Sequence, residues 1–209
     1  MKKKRTGVLG GTFNPVHIGH LLLAQWAKEE AGLDEVLFLP AGVPYMKEQD
    51  RIAEKESRLE MLSLATADRA DFRVSDIEIR RPGNTYTYET MEELNRTEFD
   101  TEFFFIMGAD CLFSIDTWKY PERIFASCNI LAAARNHSSM RELEKQKQYL
   151  EKKYGADITL LSFPEIAISS TDIRKRIQEG KSVRYMVTDP VAEYLKRNRL
   201  YRENIDLQE

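Results

Sequence analysis

Residues Gly10 to His20 read GGTFNPVHIGH and stand between a short apolar run, Thr6 to Leu9, and a segment of helical periodicity, Gly19 to Ala31. In that segment Leu22, Leu23, Trp26 and Ala27 recur at helical spacing and Gly32 is a stop signal. A strand that ends in two glycines and turns straight into a helix is the opening step of an open parallel sheet. Without side chains, Gly10 and Gly11 let backbone N–H groups approach a phosphate or ribose closely, and the next helix aims its positive end at the same place. Neither a G-x-G-x-x-G fingerprint nor a Gly-Lys-Ser/Thr loop is present, so the two commonest glycine-rich nucleotide loops are excluded.

The stretch also holds two of the three histidines of the chain. His17 and His20 are three residues apart, which puts both imidazoles on one face of the first turn if the helix begins near His17. There they can donate hydrogen bonds to charge that develops on phosphate oxygens during transfer. A zinc site would need further Cys, His or carboxylate ligands at suitable spacing, and none is nearby in the sequence.

Working outward, the patterns predict strands over Glu35–Leu39, Phe72–Arg80, Glu102–Met107, Asn129–Ala133 and Ile158–Ser162. Helices are expected over Glu54–Ala67, Thr87–Arg96, Met140–Tyr154, Thr171–Glu179 and Pro190–Asn198. Lys47 to Lys55 lacks apolar periodicity and reads as a loop. Alternating strands and helices with short connections imply an α/β fold, a doubly wound, mainly parallel sheet with helices on both faces, whose ligands sit at the carboxyl ends of the strands. The 209 residues suit one domain, 1–209, with a C-terminal helical part from roughly residue 170 packed on it.

Composition narrows the class further. With 42% hydrophobic residues, 31% charged residues and a net charge of −3, the chain has no global basic field for nucleic acid, and any anion must be held by local groups. The basic run Lys2 to Arg5 is followed by no apolar segment long enough for a signal peptide, and the most apolar stretch, Phe103 to Met107, is strand-sized. Cys111 and Cys128 have neither metal-ligand nor redox spacing, so free thiols in the cytoplasm are expected.

GGTFNPVHIGH resembles the signature of the nucleotidyltransferase superfamily that carries a His-x-Gly-His motif. That superfamily has a second signature near the C-terminus, matched here by ISSTDIRKR, Ile168 to Arg176. Ser169, Ser170 or Thr171 can cap the following helix, whose free N–H groups can hold triphosphate oxygens, and Arg174, one turn in, can clamp a phosphate. Within the superfamily the chain resembles the bacterial nicotinate mononucleotide adenylyltransferases over nearly its whole length, through GNTYTYET (Gly83 to Thr90), FFIMGADCLFSIDTW (Phe104 to Trp118) and GKSVRYMVTDPVAEYL (Gly180 to Leu195).

The resemblance implies a Rossmann-like fold and a step of NAD biosynthesis, in which ATP and nicotinate mononucleotide give deamido-NAD and pyrophosphate with Mg2+ carried mainly by the ATP phosphates. It assigns His17, His20 and Arg174 to catalysis, and Gly10, Gly11, Thr12, Phe13, Gly108, Asp110, Ile168, Ser169, Ser170 and Thr171, with those three, to ATP. Thr12, Lys47, Thr85, Tyr86, Trp118 and Arg135 fall to nicotinate mononucleotide: the ring near Trp118, and backbone groups of Thr85 and Tyr86 on its carboxylate. The expected partners are these small molecules, neither nucleic acid nor membrane, with a homo-oligomer allowed. Three departures stand out: Asn14 where members often have Asp, PAGVPYMK in place of a Pro-Pro-His-Lys ending, and AARNHS in place of an Arg-Pro. Rivals share the end motifs: an adenylyl- or cytidylyltransferase with another acceptor such as phosphopantetheine, and a nucleotide sensor without turnover. A class I synthetase fragment would need a Lys-Met-Ser-Lys-Ser partner that the sequence lacks.

Overall fold

The computed structural model describes residues 2–43, 52–134, 140–164 and 166–202. Six strands, β1 (Lys4–Gly11), β2 (Glu35–Pro40), β3 (Phe72–Val74), β4 (Thr101–Gly108), β5 (Asn129–Ala134) and β6 (Ile158–Ser162), form one sheet in the order β3-β2-β1-β4-β5-β6. All five pairings are parallel, where a mainly parallel sheet was expected. This is the order of a doubly wound α/β sheet, with its topological switch between β1 and β4.

Strands buried on both faces read as continuous apolar runs, and β4 shows how the run divides. Phe103, Phe105 and Met107 enter one core, with residues of α4 (Thr87–Thr97), α5 (Ala109–Ser114), α6 (Pro121–Ser127) and α7 (Met140–Tyr154). Phe104 and Ile106 enter the other, with α1 (Ile18–Ala31), α2 (Lys55–Thr66), α8 (Ser170–Gln178) and α9 (Asp189–Arg197). Each face is thus closed by helices, and the edge strand β3 is only three residues long.

One expectation fails here. The alternation over Phe72–Arg80 predicts a single strand, but the strand ends at Val74 and Ile77–Arg80 is a helical turn, α3. Period-two alternation needs a neighbouring strand to give it meaning, and β2 offers β3 only three paired residues, Val36 to Phe38. Beyond them Arg80 N–H donates to the Asp76 carbonyl at 2.9 Å and its side chain pairs with the Asp76 carboxylate at 2.6 Å, which closes the turn. The pieces at Ala109–Ser114, Ile115–Thr117 (a 3-10 turn) and Pro121–Ser127 were not foreseen, being too short for helical periodicity to show.

Register opens the crevice at the switch. β1 pairs with β4 only as far as Leu9 with Ile106, while it continues along β2 to Gly11 with Pro40, and β4 continues along β5 to Gly108 with Ala133. The two central strands therefore part at Gly10–Gly11 on one side and Met107–Gly108 on the other.

Candidate active site

The loop leaving β1 is fixed from below. Phe13 takes a left-handed backbone conformation (φ 49°), and a Cβ on Gly11 would lie 3.1 Å from the Phe13 ring, so a side chain there would crowd the fold-back. Arg58, on α2 and 1% exposed, donates to three backbone carbonyls: Thr12 at 2.9 Å, Gly42 at 2.8 Å and Ala53 at 3.1 Å. Burial pushes this guanidinium below its ordinary value. One side chain thereby ties the glycine loop to the end of β2 and to the start of α2. The Asn14 side-chain oxygen accepts from the Ala53 N–H at 3.0 Å and from the Tyr201 hydroxyl at 2.5 Å. An oxygen acceptor serves both bonds, and the amide supplies it uncharged.

His17 is the N-cap of α1 and His20 its third residue, so the expected shared face is realised: the rings stack with centroids 3.7 Å apart. The Phe13 ring meets His20 edge-on at 4.9 Å. The His17 backbone N–H donates to His20 Nδ1 at 3.2 Å. An Nδ1 that accepts leaves the ring proton on Nε2, which can then donate to a phosphate oxygen. Phe13, 2% exposed, contributes packing under this imidazole.

The second motif meets the first directly. Ser169 caps α8, its hydroxyl oxygen accepting from the Asp172 N–H at 3.1 Å. The Ser170 hydroxyl donates to the Pro15 carbonyl at 2.9 Å, and Arg174 Nη1 to the Asn14 carbonyl at 2.8 Å, with Nη2 at 3.4 Å from the Thr171 hydroxyl. Further along, the Ile18 N–H donates to the Met186 carbonyl at 2.9 Å. Two helix N-termini, those of α1 and α8, are thus clamped together, and Arg174, tethered by one edge of its guanidinium, retains other donors for an anion. Ile168 immediately precedes the cap and packs on the α1 side of the sheet.

A cleft of about 570 Å3 opens beside this clamp, lined by Gly10, Gly11 and Thr12 and also by Thr85, Tyr86 and Trp118. The two groups of residues, 73 positions apart in sequence from Thr12 to Thr85, share one cavity because β1 ends at its floor. Trp118 is half-buried with its ring edge-on to Phe105 at 6.3 Å. Five polar neighbours were not anticipated: Glu78, Thr87, Thr90, Thr117 and Lys119. The Thr90 hydroxyl donates to Glu78 Oε1 at 2.8 Å. Burial raises the Glu78 carboxyl above its ordinary range, while hydrogen bonds from Thr90 and Thr85 and the Arg81 charge pull it back in part. A Cβ on Gly42 would lie 2.3 Å from the Glu78 carbonyl oxygen, so only glycine lets the end of β2 approach this wall. Glu78 escaped the sequence reading because it sat in the supposed strand; Lys119 gave no signal beyond standing next to Trp118.

Gly108 closes β4 as the N-cap of α5, and Asp110 is exposed in the first turn of that helix, at the opposite lip of the crevice. Lys47 and Arg135 lie outside the described residues. Among the described residues no cluster of three or more His, Cys, Asp or Glu is placed to hold a metal ion. The groups gathered at the glycine loop and α8 are N–H and guanidinium donors, which suit phosphate oxygens and a metal that arrives on them.

A parallel sheet with two helix N-termini clamped at its switch point, and His17 and His20 on one of them, defines a nucleotidyltransferase: the cytidylyltransferase-like family model matches residues 8–176. Over 200 residues the chain is 43% identical to a Clostridium botulinum protein named "probable nicotinate-nucleotide adenylyltransferase", covering 96% of this chain and 99% of the other. A Dehalococcoides mccartyi protein of the same name is 40% identical over 202 residues, 96% and 98% of the two chains. Among solved structures, Plasmodium falciparum nicotinic acid mononucleotide adenylyltransferase complexed with NaAD superposes with a TM-score of 0.77 at 17% identity, over 95% of this chain and 97% of that one. The chain belongs to the nicotinate-nucleotide adenylyltransferase family.

Proposed function

We propose that this enzyme joins ATP and nicotinate mononucleotide to give nicotinate adenine dinucleotide and pyrophosphate, as a step of NAD biosynthesis. The observation that carries the reading is the coupling of the two motifs, Ser170 to Pro15 and Arg174 to Asn14, beside an aromatic cleft that begins at the same glycines. In this reaction an oxygen of the mononucleotide phosphate attacks the α-phosphorus of ATP, forming a P–O bond as the bond to the β-phosphate oxygen breaks. The attacking phosphate is already ionised at neutral pH, so the protein needs to position groups and stabilise charge and need not abstract a proton.

In this reading Gly10, Gly11, Thr12 and the N-terminus of α1 hold ATP phosphates through backbone N–H groups. His17 and His20 donate to the oxygens that gain charge, His20 through Nε2. Arg174, with the Ser169–Thr171 helix start, takes the departing pyrophosphate, and Asp110 beside Gly108 accepts from the ribose hydroxyls. Mg2+ bound with ATP neutralises triphosphate charge. Trp118 offers its face to the cationic pyridine ring, and Thr85 and Tyr86 offer backbone groups to the ring carboxylate. Lys47 and Arg135 remain part of the proposed acceptor set. We place the enzyme in the cytoplasm, where Cys111 and Cys128, neither in a disulfide, stay reduced; no helix among the described residues is long and apolar enough to cross a membrane.

The test is pyrophosphate release from ATP and Mg2+ with one acceptor at a time. Release with nicotinate mononucleotide is expected; release with phosphopantetheine alone would overturn the acceptor, and ATP binding without any release would make the protein a sensor.

A further inference from the structure

The cleft carries a charge that the assignments above leave unused. Lys119 is the one cation among the described residues that line it, and it directly follows Trp118. Its Nζ stands 4.1 Å above the centre of the Tyr86 ring, itself a wall of the cleft, and 5.8 Å from that of Tyr120. The comparison with Arg123 is instructive. That guanidinium also leans on Tyr120, at 5.5 Å, and on Tyr88, at 4.3 Å, but two hydrogen bonds of 2.7 and 2.6 Å commit it to Glu92. Lys119 forms no ion pair among the described residues, so aromatic faces hold its stem while its charge stays available.

Glu78 lines the same cleft, its carboxyl accepting from the Thr90 hydroxyl. A cavity whose lining includes a cation, a carboxyl and an indole suits a ligand that is itself dipolar, such as an N-substituted pyridinium bearing a carboxylate.

We propose that the Lys119 ammonium reads the ring carboxylate of the acceptor and so supplies part of the preference for nicotinate over nicotinamide mononucleotide. This inference rests on the functional reading above. The carboxamide of the nicotinamide analogue carries no charge, so the ammonium gains a charge-assisted hydrogen bond only with the carboxylate. Because Lys119 is exposed, water and salt screen the interaction, and its contribution is a modest factor added to backbone recognition.

The experiment compares kcat/KM for the two mononucleotides in the unaltered enzyme, Lys119→Met and Lys119→Arg. Met keeps the apolar stem over Tyr86 and removes the charge. For Lys119→Met, kcat/KM with nicotinate mononucleotide should fall about five- to tenfold through KM, while that with the nicotinamide analogue stays within about twofold. Lys119→Arg should restore most of the loss, and the gap should narrow as salt is raised. An equal loss with both acceptors would overturn the proposal, since the charge would then serve the phosphate they share; no loss with either would overturn it too. An unaltered enzyme that turns over neither mononucleotide would instead sink the functional reading, and this inference with it.

Discussion

The two halves of the site are built from chain in different ways. The phosphate half comes from two contiguous runs, Gly10–His20 and Ile168–Arg174, and its groups are locked: His20 by the His17 backbone, Arg174 by the Asn14 carbonyl, the loop itself by Arg58. The acceptor half takes single residues from many places: Glu78 on α3, Thr85 and Tyr86 before α4, Thr90 on α4, and Trp118 and Lys119 after the 3-10 turn. Anion binding at helix N-termini uses backbone groups, so it needs a particular local conformation and hence a contiguous signature. Recognition of a ring and its substituent needs side chains at points in space, which the chain can supply from any element that reaches the wall. The first half should therefore govern rate for every acceptor, and the second should govern which acceptor is used.

The largest expected effect is on the phosphate side. His20→Ala removes a donor aimed at developing charge and should lower kcat on the order of a hundredfold or more, with the thermal midpoint little changed. A near-normal kcat would break the assignment of the imidazole to the transition state. On the acceptor side Trp118→Ala should raise KM for nicotinate mononucleotide roughly tenfold by removing the stacking face, while KM for ATP holds. An equal rise in both constants would show that the halves are not separable.

The smallest effect concerns pH. The folded state raises the Glu78 carboxyl above its ordinary value of 4.5, so it keeps its proton to higher pH than the unfolded chain does. Its contribution to stability is full below that ordinary value and is lost as pH rises through the folded one. Glu78→Gln keeps an acceptor for Thr90 and Thr85 and removes the titration. Thermal midpoints measured from acid to neutral pH should then fall less steeply with rising pH in the variant than in the unaltered protein. Glu35 runs the other way: Lys4 and Arg73 outweigh its burial and hold it low, so its contribution is present above its ordinary range and disappears in acid.

This contrast also explains what the sequence discloses. The strand-and-helix alternation, the α1 start at His17 and the Ser169 cap are local patterns, and each is recovered within a residue or two. The strand expected through Arg80 failed because β3 lies at the sheet edge, where a short partner leaves alternation unenforced and the chain is free to turn Glu78 toward the cleft. Arg58 carries no signal in the sequence beyond lying in the helix predicted over Glu54–Ala67; only burial against three carbonyls reveals its hold on the loop. Lys119 needed the fold to bring Tyr86 under it.

The central claim, that rate and acceptor choice reside in separate halves, meets its most direct test in His20→Ala. The ratio of kcat/KM for nicotinate to that for nicotinamide mononucleotide should match the unaltered enzyme even as both values collapse. A ratio that shifts with the imidazole would contradict the division and place acceptor recognition in the phosphate clamp itself.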